Sequence, residues 1–216
     1  MRILAVDTSS DKGSVAVVEG GETLAELRLV APTRHSRRIL SSVDFLLGAL
    51  ETSLQSIDGY AVAIGPWSFT GLRIGISTLQ GLALGLPRPC LGVSSLDVLA
   101  AQAAGRGCAL AAMLDARRDE VYGACYDTSG GLLAGPFAEP PALFASRLPP
   151  GAAYLGSGAV RYRALIEERG GEVPPDGSEL HLPRACFHVR LAGAFGRAEL
   201  VEPIYVRPPD AKEPPR

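Results

Sequence analysis

The chain has 216 residues, 47% hydrophobic and 20% charged, which is enough for one large domain or two small ones with real cores. A formal net charge of −2 and a pI near 5.9 argue against a chain that binds nucleic acid by itself, because such proteins show a basic face. Mean hydropathy is +0.17, yet no apolar run reaches the ~20 residues of a transmembrane helix, and Asp7 interrupts an N-terminal run too short for a signal peptide, so a cytoplasmic protein without membrane contact is expected.

Residues 2–7 read as a strand closing on Asp7, residues 13–18 as a second, and residues 23–30 as a third, with Leu24, Leu27 and Leu29 among polar neighbours. The turns Ser9-Ser10-Asp11-Lys12-Gly13 and Glu19-Gly20-Gly21 join them into an antiparallel meander. The one dense basic cluster, Arg34, His35, Arg37 and Arg38, reads as the solvated first turn of a helix rather than a phosphate patch. That helix, over 34–50, places Ile39, Leu40, Val43, Leu46, Leu47 and Leu50 on one broad face. A strand at 60–64, a helix at about 70–85 and a short strand at 90–93 follow. Ser94-Ser95-Leu96-Asp97 has capping-box spacing and opens a helix to about residue 104, which Gly105 and Gly107 end.

The order β-β-β-α-β-α-β-α predicts a mixed sheet with helices packed on it. The second half begins the same way, with a strand at 109–114 closing on Asp115, a second at 120–126 and a third at 132–137. A helix at 141–148, a strand at 152–155 and helices at 160–168 and 184–195 complete it. The element order therefore predicts two like α/β lobes, 1–106 and 107–207, facing a cleft, and a loose tail at 208–216 rich in proline and charge.

The most informative stretch is Gly65-Pro66-Trp67-Ser68-Phe69-Thr70-Gly71-Leu72-Arg73-Ile74-Gly75, between the strand at 60–64 and the helix at 70–85. A helix N-terminus there offers free N–H groups and a positive dipole end. Gly71 and Gly75, at i and i+4, let another backbone come close. The unit is an anion-binding turn, a helix-packing surface, or both. The hairpin turn Asp7-Thr8-Ser9-Ser10 could likewise present hydroxyls and N–H groups to a phosphate, with Gly65 beside it, or be an ordinary turn. Cys90, Cys108, Cys125 and Cys186 lack metal-site spacing and read as buried free thiols, and the three histidines form no i, i+4 pair, so metal catalysis has no visible ligand set.

Met1-Arg2-Ile3-Leu4-Ala5-Val6-Asp7-Thr8-Ser9, the Gly65–Gly75 segment, Asp115-Ala116-Arg117-Arg118-Asp119-Glu120-Val121-Tyr122 and the closing Pro203-Ile204-Tyr205-Val206-Arg207 together resemble the bacterial TsaB family, over residues 1 to 207. The resemblance implies two ribonuclease-H-like lobes in an actin-like, sugar-kinase-like fold. It implies a role in making N6-threonylcarbamoyladenosine beside the anticodon of tRNA, as the non-catalytic partner of a homologous TsaD-like transferase, with a TsaE-like ATPase joining them and tRNA met only through the complex. Where the catalytic homologue carries two metal-binding histidines after a Gly-Val, this chain has Ser95 and Leu99 after Gly92-Val93, and neither replaces an imidazole ligand. The family's usual glycine is Trp67 here, which would block a nucleotide over this turn or stack on it.

The scaffold reading assigns the partner surface to the helices at 34–50 and 70–85, through Leu40, Leu47, Gly71, Leu72, Gly75, Ile76 and Leu79, with close crossing into a four-helix bundle. The same surface could serve a homodimer. No cofactor is required by this role, and ATP or ADP at the partner interface stays open, with Asp7, Thr8, Ser9 and Gly65 as the phosphate candidates. The alternative is a nucleotide-hydrolysing or phosphotransfer enzyme of the same fold using Asp7 and Asp115. A metalloprotease lacks a histidine pair or activated nucleophile.

Overall fold

A computed structural model describes residues 1–10, 12–30, 35–191 and 193–207. The tail expected at 208–216 lies outside the described residues, as do Arg34 and the side chains of His35 and Arg37 in the basic cluster, while Arg38 is exposed.

The first sheet begins with β1 (Arg2–Asp7), β2 (Lys12–Glu19) and β3 (Glu22–Val30), an antiparallel meander. After helix α1 (His35–Ala49) come β4 (Gly59–Gly65), α2 (Phe69–Gly85) and β5 (Cys90–Ser94), with β4 and β5 parallel to β1 and the strands ordered β3-β2-β1-β4-β5. Alternation along β1 sends Leu4 and Val6 to the face covered by α1 and α2, where they meet Ile39, Val43, Leu46, Ile76 and Leu79. Ile3 and Ala5 face the other way, onto Val98, Ala185 and Cys186. Each fully buried Leu, Ile or Val contributes roughly 1.5–3 kcal/mol, so a sheet covered on both faces forms the main core.

Helix α3 (Ser95–Ala103) starts as its spacing predicts, with the Ser94 hydroxyl oxygen accepting from the Asp97 N–H at 3.4 Å. It bridges the two halves. Val98 packs on the first sheet, while Leu96, Leu99, Ala100 and Ala103 pack on the second. Asp97 accepts a hydrogen bond from the Tyr126 hydroxyl at 2.7 Å, and burial pushes the pKa of both groups up.

The second sheet repeats the pattern in four strands. β6 (Leu110–Arg117), β7 (Glu120–Tyr126) and β8 (Leu132–Glu139) form the meander, and after α4 (Pro141–Ala145) strand β9 (Ala153–Leu155) joins β6 in parallel, giving the order β8-β7-β6-β9. The two mixed sheets expected from element order are present.

Three expectations are corrected in the last third. The helix at 141–148 is only the short α4. The helix at 160–168 is two pieces, α5 (Ser157–Arg161) and α6 (Arg163–Glu168), broken at Tyr162. The helix at 184–195 is a single 3₁₀ segment at Ala185–Arg190. Long-range bonds override the helical pattern there. The Ala185 N–H donates to the Ser14 hydroxyl at 2.8 Å, Arg184 pairs with Glu26, and Gly196 bridges to Cys90 at the edge of the first sheet. Residues 185–191 therefore pack on the first sheet although they follow the second in the chain.

Cys90, Cys125 and Cys186 are buried, and burial raises all three thiol pKa values, Cys90 and Cys186 to about 11. Cys108 is half-exposed. Ellman's reagent at pH 8 is expected to modify Cys108 quickly in the folded protein and the other three only after unfolding. Fast reaction of two or more thiols would contradict this packing.

Candidate functional site

The turn after β1 is sealed by the chain itself. The Asp7 side chain is 0% exposed. Its Oδ1 accepts from the Ser9 N–H at 2.9 Å and the Ser9 hydroxyl at 2.6 Å, and its Oδ2 lies 3.0 Å from Nε2 of His188, which is also fully buried. The Thr8 hydroxyl donates to the Gly71 carbonyl at 2.8 Å. A Cβ on Gly71 would lie 2.2 Å from the Thr8 carbonyl oxygen, and one on Gly75 would lie 2.5 Å from Thr8 Oγ1 and 3.2 Å from Val62. The glycine pair does admit a second backbone, but that backbone is the chain's own β1–β2 turn.

The interface expectation is corrected by this contact. Gly71 and Gly75 do not face outward, and Leu72, Ile76 and Leu79 beside them are core residues. Asp7, Thr8 and Ser9 are buried with their side-chain groups spent inside the chain, and Gly65, at φ +98°, closes against Leu72, where a Cβ would come within 2.7 Å. Asp115 accepts from the Arg117 N–H with Oδ1 and from Arg161 with Oδ2, each at 2.9 Å, so both aspartates of the phosphotransfer alternative are engaged. Among the described residues no group of three His, Cys, Asp or Glu side chains is placed to hold a metal. Ser95 and Leu99 are both fully buried, Leu99 in the core under the second sheet.

The outward side of α1 and α2 differs from the expected set. Leu47 is in the core, and Leu40 alone of the seven interface candidates is exposed, at 49%. Three large apolar side chains that the sequence reading passed over join it on these helices, Phe45 at 64%, Leu84 at 82% and Phe69 at 42% exposure. A Cβ on Gly48 of α1 or Gly81 of α2 would meet nothing within 4 Å. Phe45 could have been found in the sequence as an apolar residue off the main helical stripe.

Between the lobes lies a cavity of about 670 Å³. Trp67, Phe69, Tyr122 and Tyr205 line it together with Arg117 and Ser157. Trp67 extends from the first lobe and packs against the core cluster of the second. A C-terminal strap crosses the same gap. The Ile204 N–H donates to the Ile64 carbonyl at 2.7 Å, Tyr205 packs on Phe69 with ring centroids 5.5 Å apart, and Arg207 pairs with Glu120 of β7 at 2.7 Å. At the cavity rim the β6–β7 turn holds three consecutive non-glycine residues in the left-handed region, Arg117 at φ +60°, Arg118 at +54° and Asp119 at +56°.

Two meander-plus-parallel-strand sheets, linked by a shared helix across a cleft, define two ribonuclease-H-like lobes of an actin-like fold. The family described as "TsaD: tRNA N6-adenosine threonylcarbamoyltransferase" matches residues 29–148. The TsaB protein of Escherichia coli K12, a tRNA threonylcarbamoyladenosine biosynthesis protein, is 37% identical over a 221-residue alignment covering 96% of this chain and 95% of its own. The structure of YeaZ from Pseudomonas aeruginosa superposes with a TM-score of 0.80 at 32% identity, covering 94% of this chain and 99% of that one. A dehydratase activator from Clostridium difficile, with a TM-score of 0.52 and 11% identity over 88% of this chain and 92% of that one, shares the fold alone. The chain belongs to the TsaB family of tRNA threonylcarbamoyladenosine biosynthesis proteins.

The two kinds of helix glycine should respond oppositely to the same change. Gly71→Ala must displace the Thr8 carbonyl and is expected to cost about 1–3 kcal/mol, lowering Tm by roughly 2–4 °C per kcal/mol in a chain of this size. Gly81→Ala meets open space and should add about 0.5–1 kcal/mol through helix propensity. Thermal unfolding of both variants checks the seating of α2. Equal effects of one sign would refute it.

Proposed function

We propose that this chain is a non-catalytic subunit that binds and supports a TsaD-like threonylcarbamoyltransferase, through the outward face of α1 and α2. The observation that carries this reading is that α1 and α2 expose Leu40, Phe45 and Leu84 and carry Gly48 and Gly81, whose absent side chains meet nothing in the chain itself. Exposed large apolar groups and open glycine positions on a helix pair suit two helices of a homologous partner laid across them. The sealed Asp7 turn supports a binding role over chemistry at that site. A TsaE-like ATPase would join the pair, tRNA would be met only by the assembly, and the work would be cytoplasmic. No helix among the described residues is long and apolar enough to cross a membrane. The role itself requires no cofactor, and an adenine nucleotide between the subunits would show as ATP- or ADP-dependent affinity.

Burying a side chain such as Phe45 or Leu84 at the centre of an interface is worth roughly 1.5–3 kcal/mol. Phe45→Asp and Leu84→Asp are therefore expected to raise the Kd for the TsaD-like subunit tenfold or more in calorimetry, at unchanged Tm. Leu133→Asp, on exposed β8, should leave it unaltered. Light scattering on the mixture should give the mass of a heterodimer. A homodimer that excludes the partner, or wild-type affinity in both helix variants, would overturn the proposal.

A further inference from the structure

Trp67 and the strained Arg117–Asp119 turn have no part in the proposed partner surface, yet both border one cavity. Its wall is aromatic, from Trp67, Tyr122 and Tyr205, which offers planar rings a stacking surface. Its one lining carboxylate, Asp115, shares Arg161 with Asp119 of the rim turn, at 2.9 and 3.7 Å, and Arg207, which also lines the cavity, is paired with Glu120 at 2.7 Å. Arg117 differs. Its backbone N–H is bonded to Asp115, but its exposed guanidinium has no partner among the described residues. The surplus charge at the cavity is therefore positive, and it sits on a residue held at φ +60°, a conformation costing about 1–2 kcal/mol that glycine would adopt freely. A volume of about 670 Å³ lies within the range of small-ligand sites, about 300–1,000 Å³.

We propose that this interlobe cavity receives one unpaired nucleotide of an RNA strand, its base against the aromatic wall and its phosphate at Arg117. The inference rests on the family's role in tRNA modification and adds a contact by which this chain touches the RNA inside that assembly, a contact too weak to hold tRNA to the isolated subunit. Aromatic stacking beside a guanidinium is a general way to hold one unpaired nucleotide, and the chain's net charge of −2 keeps the affinity of the isolated subunit low. The Asp7 turn takes no part in it.

Trp67 is the chain's single tryptophan, so its fluorescence reports on this cavity alone. The isolated protein is titrated at low salt with a seven-nucleotide single-stranded oligoribonucleotide of mixed sequence, and separately with AMP. A saturable change with the oligomer at submillimolar concentration is expected, with a midpoint that rises with salt and rises about tenfold in Arg117→Glu. No change at millimolar oligomer, or the same midpoint in folded Arg117→Glu, would overturn the site. AMP acting as well as the oligomer would reassign the cavity to a free mononucleotide and overturn the RNA contact. Because no partner is present, this result is separate from whether the TsaD-like subunit docks, which light scattering reads on its own.

Discussion

The seating of α2 on the turn after β1 is the contact on which the rest depends. Gly71 and Gly75 leave room for the Thr8 carbonyl and hydroxyl, and the Thr8 hydroxyl bonds back to the Gly71 carbonyl. The turn is in turn held by Asp7, whose two carboxylate oxygens are taken by Ser9 and His188. One contact thus orients a seventeen-residue helix against the sheet, buries Leu72, Ile76 and Leu79, and decides which residues remain outside. The same contact keeps the side-chain groups of Asp7, Thr8 and Ser9 bonded inside the chain.

The lobes are joined by more than a linker. Helix α3 contributes to the cores of both, Trp67 reaches from one into the other, and the strap through Ile204, Tyr205 and Arg207 crosses on the outside. Trp67 packs on the core cluster of the second lobe and lines the cavity between the lobes. It fills the near side of the gap and leaves a cavity beyond it.

Much of this was legible in the sequence, and its failures have physical reasons. Period-2 and period-3.6 patterns located both meanders, α1, α2 and α3, because each of these elements buries one regular face. The i, i+4 glycines correctly announced a close backbone approach, but spacing cannot say whose backbone approaches. Residues 184–195 have local helical character, yet Ser14 and Glu26, more than 150 positions away, take the N–H and guanidinium groups and hold the segment as a 3₁₀ turn. His188 carried no signal because its partner, Asp7, is 181 residues distant. Phe45 and Leu84 were overlooked because they lie outside the stripes that mark a core, and the interior side of a helix dominates its pattern.

The most direct test of a partner-binding face on α1 and α2 is hydroxyl-radical footprinting of the protein with and without its TsaD-like subunit, read by mass spectrometry. Leu40, Phe45 and Leu84 should lose their labelling in the complex, while Leu132 and Leu133 on β8 keep theirs. Continued labelling of the three helix residues in a complex of demonstrated mass, with protection on β8 instead, would contradict the assignment.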